Sequence, residues 1–102
     1  MKVKKYPISL SPEDLVDVTI IYQKKKIIKF ALNYRAKING SWHEIYRVDN
    51  YHGFLHEQKF WRSKKPIPLQ ESLPMDKIVD KYADIIDKNY KKLRHYFESN
   101  LK

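Results

Sequence analysis

Cysteine is absent from this 102-residue chain. Its absence excludes a disulfide framework and thiolate metal sites, and it fits a reducing cytoplasm. No apolar run approaches the roughly 20 residues that span a bilayer. The opening Met1-Lys2-Val3-Lys4-Lys5-Tyr6-Pro7 is basic but lacks the apolar stretch of a secretory signal. A cytoplasmic location away from membranes is therefore expected. Acidic residues are scarce, 12 against 21 Lys and Arg, which leaves a formal charge of +9. Such an excess attracts polyanions and steers encounter with nucleic acid or an acidic protein partner. Internal repeats and low-complexity tracts are missing too. Three glutamines, no cysteine and abundant Lys, Ile and Tyr fit a thermophile.

What is present suffices for one domain. The chain is 42% hydrophobic and 14% aromatic, enough to exclude global disorder and to fill one modest core. Residues 1–10 read as a basic extended arm or edge strand. Ser11-Pro12-Glu13-Asp14 has the form of a short helix start, with a serine cap and a proline at the first helical position. Val16, Val18, Ile20 and Tyr22 then alternate with polar residues, a strand period. A lysine-rich break at 23–26 precedes a second strand over 27–38. Asn39-Gly40 is a strong hairpin signal, so a third strand is expected over 41–49 and a fourth over 54–62. Residues 63–74 hold three prolines and read as a connection that stays out of the sheet. From Met75 the period changes to three and four, which predicts a helix over 75–100. The sequence thus predicts an α+β fold: an antiparallel meander over 15–62 packed against one long C-terminal helix.

Counting outward from Asn39-Gly40 pairs Ile38 with Ser41, Tyr34 with Ile45, Leu32 with Arg47 and Phe30 with Asp49. A two-residue turn at Tyr51-His52 sets Arg47 opposite His56. A three-residue turn sets it opposite Glu57 instead. In the first register Arg47, Asp49, His43 and His56 share the apolar face that the helix covers. Lys29, Asn33, Arg35, Lys37, Trp42, Glu44, Tyr46, Lys59 and Trp61 share the other, with Trp42 facing Trp61.

The segment from Arg47 to Glu57 concentrates an arginine, two acids, two histidines and Gly53. Its pattern Arg-x-Asp-x-x-His-Gly-x-x-His (Arg47, Asp49, His52, Gly53, His56) resembles the motif of a small uncharacterised prokaryotic family associated with archaeal genomes. The likeness covers about Val18 to Trp61, and there is a looser similarity to TumE-type toxins of toxin–antitoxin pairs. The resemblance marks these positions and implies no settled mechanism.

Three chemistries can use them. A metal-free endoribonuclease needs a base, an acid and a cation on the phosphate, roles open to His52, His56 and Arg47. A divalent metal site can draw on Asp49, His52 and His56. A structural brace has Arg47 paired with Asp49, the histidines bonded to backbone, and Gly53 supplying positive φ. His43 and His95 read as structural. A reading of another class uses the opposite face, where Trp42, Tyr46 and Trp61 stand among Lys29, Arg35, Lys37 and Lys59. Aromatics among cations suit a non-enzymatic nucleic-acid or protein-interaction module. An exposed tryptophan pair and two open sheet edges also suit a homodimer. The sequence-based expectation is a small basic protein that binds or acts on RNA.

Overall fold

The computed structural model describes residues 1–101. Six antiparallel strands follow one another across a single sheet in chain order. They are β1 (Lys2–Ser11), β2 (Asp14–Gln23), β3 (Lys26–Ile38), β4 (Ser41–Asp49), β5 (His56–Lys59) and β6 (Ile67–Pro68). One helix, α1 (Met75–Ser99), completes the chain's elements. The expected α+β architecture, a meander against one C-terminal helix, is what the structure shows.

The core lies between one sheet face and α1. Val16, Val18, Ile20, Phe30, Leu32, Tyr34, Ala36 and Ile38 alternate along β2 and β3 and meet Ile78, Val79, Tyr82 and Ile86 of the helix. Two strand partners in succession fix the side-chain parity of β3 from Lys29 onward, so its even-numbered residues there face the helix and its odd ones face away. At the far end of α1 the Arg94 guanidinium donates to both oxygens of the buried Asp14 carboxylate and to the Lys37 carbonyl. Tyr34 Oη donates to the same carboxylate at 2.6 Å. Burial and this acidic neighbour push the Tyr34 phenol well above the ordinary tyrosine range.

Several expectations need correction. Ser11-Pro12-Glu13-Asp14 starts no helix; Pro12 and Glu13 form the turn between β1 and β2. The serine hydroxyl still accepts from a backbone N–H two residues on, that of Glu13 at 3.1 Å. The alternating apolar residues that follow hold the chain extended, so the helix signal is spent on a turn. The proline-rich connection does join the sheet. Ile67 pairs with Glu57, and the Leu69 N–H donates to the Leu55 carbonyl. An outermost strand can hold prolines because the donor they lack faces no partner. The fourth expected strand is shorter, ending at Lys59, where the Arg62 and Ser63 N–H groups both turn back to its carbonyl.

The most consequential correction is a β-bulge. From Asn39-Gly40 the pairing runs as expected to Arg35 opposite Glu44, but the next pair is Tyr34 with Tyr46. Ile45 is the extra residue. Both Ile45 (0% exposed) and Tyr46 (4%) enter the core, because a bulge lets two adjacent side chains lean to one side. Beyond it, parity is reversed. Arg47 faces Asn33, not Leu32, and Asp49 faces Ala31, not Phe30. The turn after β4 is neither of the two- or three-residue forms; residues 50–55 make the loop and Asp49 pairs with His56.

Candidate functional site

Because of the bulge, Arg47, Asp49 and His56 lie on the sheet face turned away from α1. Only His43, against the Phe97 ring at 5.3 Å, stays on the helix side. The supposed open aromatic face divides as well. Tyr46 is buried, its hydroxyl donating to Glu57 at 2.7 Å, and burial with that contact drives its phenol far above the usual range. Lys59 pairs with Tyr46 and so belongs to the helix side. Trp61 is half-buried, with its ring 5.6 Å from that of Tyr96 on the helix. The expected Trp42–Trp61 pair is therefore not formed. Trp42, Arg35, Lys37 and Lys29 remain away from the helix, with the Arg35 guanidinium 4.8 Å over the Trp42 ring and bonded to Asp17 at 2.7 Å.

The 47–56 constellation is built around a buried acid. Asp49 is 2% exposed and His56 1%. Asp49 Oδ2 accepts from Arg47 Nε at 2.6 Å, while Oδ1 accepts from the Tyr51 N–H at 2.9 Å. The same Oδ1 lies 3.2 Å from His56 Nε2. His56 Nδ1 is 3.1 Å from the Phe54 carbonyl oxygen, so both ring nitrogens face oxygens. The carboxylate thus accepts two hydrogen bonds and has the His56 ring nitrogen beside it, which is how a buried charge is held at tolerable cost.

The loop that brings these groups together is fastened by Asn50, a residue the sequence reading passed over. Its Oδ1 accepts from the Phe30 N–H at 2.9 Å and its Nδ2 donates to the Ile28 carbonyl at 3.1 Å. The side chain continues the β4 ladder onto β3 after the strand has ended. An asparagine directly after a strand and before a glycine was the available signal. Gly53 then turns the loop at φ 83°, where an added Cβ would meet nothing, so its need is conformational.

Outward from the buried pair opens a cleft of about 380 Å³. Arg47, Tyr51, His52, Gln58, Lys64 and Glu44 are among its walls. The Arg47 guanidinium sits 5.8 Å over the Tyr51 ring. Its Nε is taken by Asp49, and its terminal nitrogens have no hydrogen-bond partner among the described residues. His52 is exposed and its ring stacks on that of His56 at 5.5 Å. Arg47, His52 and His56 are thus brought together at one cleft, with His52 exposed, Arg47 half-buried, and His56 buried beside Asp49 under the His52 ring. Asp49, His52 and His56 do not converge as a ligand set, and no group of three acidic or histidine side chains does so among the described residues.

All residues from 1 to 102 match the model of a family described as a domain of unknown function, DUF7718. The chain belongs to this family. Its description assigns no activity, so the roles of Arg47 and its neighbours rest on geometry. No curated protein and no solved structure matches the chain.

Proposed function

We propose that this DUF7718 protein binds RNA through its phosphodiester backbone at the Arg47 cleft, and that the site is ribonuclease-like. The observation that carries the reading is the held guanidinium. Asp49 fixes Arg47 through Nε and leaves the terminal nitrogens free at a cleft that also holds Lys64, Tyr51 and the exposed His52. A planar guanidinium binds two phosphate oxygens at once and stabilises the charge that grows on them during cleavage. Cleavage of RNA needs a base to take the 2′-hydroxyl proton as that oxygen attacks phosphorus. It also needs an acid to protonate the departing 5′-oxygen. His52 and the Glu44 carboxylate are the exposed proton-transfer groups on the cleft wall. His56, buried beside Asp49 and under the His52 ring, acts as a positioning residue. The similarity to TumE-type toxins adds a biological setting of the same kind, a toxin component acting on RNA.

The test is incubation of labelled RNA with pure protein, with and without EDTA, beside a binding titration across salt concentrations. Cleavage that survives EDTA and disappears in His52→Ala, with binding retained, supports the enzyme. Arg47→Ala is expected to weaken binding about tenfold or more, the loss of one charge-assisted pair. Salt-sensitive binding without cleavage leaves a non-enzymatic RNA-binding module, a role that the exposed Trp42 also suits. Neither binding nor cleavage overturns the proposal and turns attention to an acidic protein partner.

A further inference from the structure

A second concentration of positive charge lies away from the Arg47 cleft. The start of β1 and the β2–β3 turn form a corner whose cavity, about 490 Å³, is lined by Met1, Lys2, Lys4, Tyr22, Lys24 and Lys25. Lys4 Nζ stands 5.4 Å over the Tyr22 ring, which orders one cation at the cavity wall. All four lysines are exposed, and none has an acidic partner within ion-pair distance among the described residues. Asp76, at the start of α1, lies across a separate hollow that it shares with Lys25 and Lys26.

The turn itself is the second observation. Gln23 pairs with Lys26, so Lys24 and Lys25 form a two-residue hairpin turn, with φ of 52° and 66°. Left-handed backbone at both central positions is what Asn-Gly supplies, and Asn39-Gly40 supplies it in the next hairpin at 52° and 81°. Two lysines in those places carry backbone strain that Asn-Gly would avoid. Their side chains give a return of another kind: adjacent charges projected from the end of the sheet.

Strand polarity puts this corner at the same end of the sheet as the 50–55 loop, because β2 and β4 finish there and β1, β3 and β5 begin there. The two open on opposite faces, since Lys4 pairs with the core residue Ile20 on the α1 side while the Arg47 cleft is on the other, so a strand that reaches both passes over this end of the sheet. Lys29, exposed and 5.8 Å over the Tyr51 ring, stands on the cleft's side of that path. We propose that the lysine corner of Lys2, Lys4, Lys24 and Lys25 is a second phosphate-binding surface, which extends the grip on a single-stranded RNA beyond the Arg47 cleft. This inference rests on the RNA reading above for its ligand. Lysine heads on flexible stems follow a backbone without selecting sequence, so this surface adds affinity and salt dependence, not specificity.

The experiment replaces the turn by its unstrained counterpart, Lys24→Asn with Lys25→Gly, and follows binding of a labelled single-stranded oligouridine by anisotropy at several salt concentrations. The variant is expected to melt at or above the wild-type temperature, so loss of binding will not reflect loss of fold. Two lost phosphate contacts lower the slope of log affinity against log salt by about 1.4. Lys2→Gln with Lys4→Gln, which leaves the turn alone, is expected to lower it comparably. Unchanged slope and affinity in both variants overturn the proposal, whereas loss only in Arg47→Ala sinks the corner and keeps the cleft. The reverse pattern, loss in the lysine variants with Arg47→Ala unaffected, keeps the corner and removes the cleft reading. Phosphatidylserine vesicles serve as the other polyanion; lysine variants that lose vesicle binding but keep full RNA affinity also overturn it.

Discussion

Asp49 carries more of the local structure than any neighbouring side chain, because Arg47, Tyr51 and His56 all direct a nitrogen at it. Asp49→Ala would leave a buried histidine and a half-buried arginine without their acceptor. It is expected to cost about 3 kcal/mol or more in urea denaturation. His52→Ala, at an exposed position, is expected to stay within about 0.5 kcal/mol of wild type. Equal losses in the two variants would mean that the carboxylate is not the centre of the arrangement. This hierarchy was only partly legible in the sequence. The spacing of Arg47, Asp49, His52 and His56 marked the right segment, and Gly53 its turn. Residue types could not tell which histidine is exposed, since that depends on whether Phe54 and the chain at 60–66 lie over the strand. Asn50 escaped notice because a loop asparagine is ordinary until its amide is seen bonded to β3.

Among the elements, the Asn39-Gly40 hairpin is legible because its residue types supply a left-handed turn, whereas the equally short turns at Pro12-Glu13 and Lys24-Lys25 carry no such signal. Asn39-Gly40 set the start of the β3–β4 register correctly, and the period change at Met75 set the helix. The bulge at Ile45 defeated the remainder. Ile45 and Tyr46 are both apolar-bodied, so either could be taken as the inward residue, and the phenol's partner Glu57 lies a strand away. A one-residue insertion then reversed every later assignment of face. The helix is tied down by its distal half as well as by its apolar stripe, through Arg94 to Asp14, Lys37 and Glu13. Arg94→Ala strands the buried Asp14 with only Tyr34 and Ser11 as donors. A loss of about 2–4 kcal/mol is expected, read from the shift in denaturation midpoint. Arg94→Lys should recover part of it, because an ammonium reaches one of these acceptors but not all. Full stability in Arg94→Ala would show that the stripe alone holds the helix.

For the whole molecule the two raised phenols set a limit on the alkaline side. Tyr34 and Tyr46 keep their protons in the folded chain to higher pH than in the unfolded chain. Above about pH 10 the unfolded state therefore binds fewer protons than the native one, and stability falls as pH rises. Below that pH the contribution is fully present. Denaturation midpoints at neutral and strongly alkaline pH should drop more for wild type than for Tyr34→Phe with Tyr46→Phe, even though the double variant begins less stable. An identical drop would count against the tyrosines and leave the lysines as the cause. The sheet's outer margins lack one support that the sequence suggested for pairing between copies. The tryptophan pair is absent, and β1 bears Lys2, Lys4, Lys5 and Pro7, residues that discourage another strand from adding on.

The strand order has a consequence for how the protein is made. Each strand pairs only with its neighbours in the chain, so the sheet can close hairpin by hairpin as it leaves the ribosome. The helix that shelters Phe30, Leu32, Tyr34 and Val48 is synthesised after every strand. Until it docks, a finished sheet shows a bare apolar side to the cell, and a chain interrupted before Met75 never loses it. Such a fragment should sediment with aggregates or chaperones where the intact protein stays dispersed, which makes the docking of α1 the step where yield is decided.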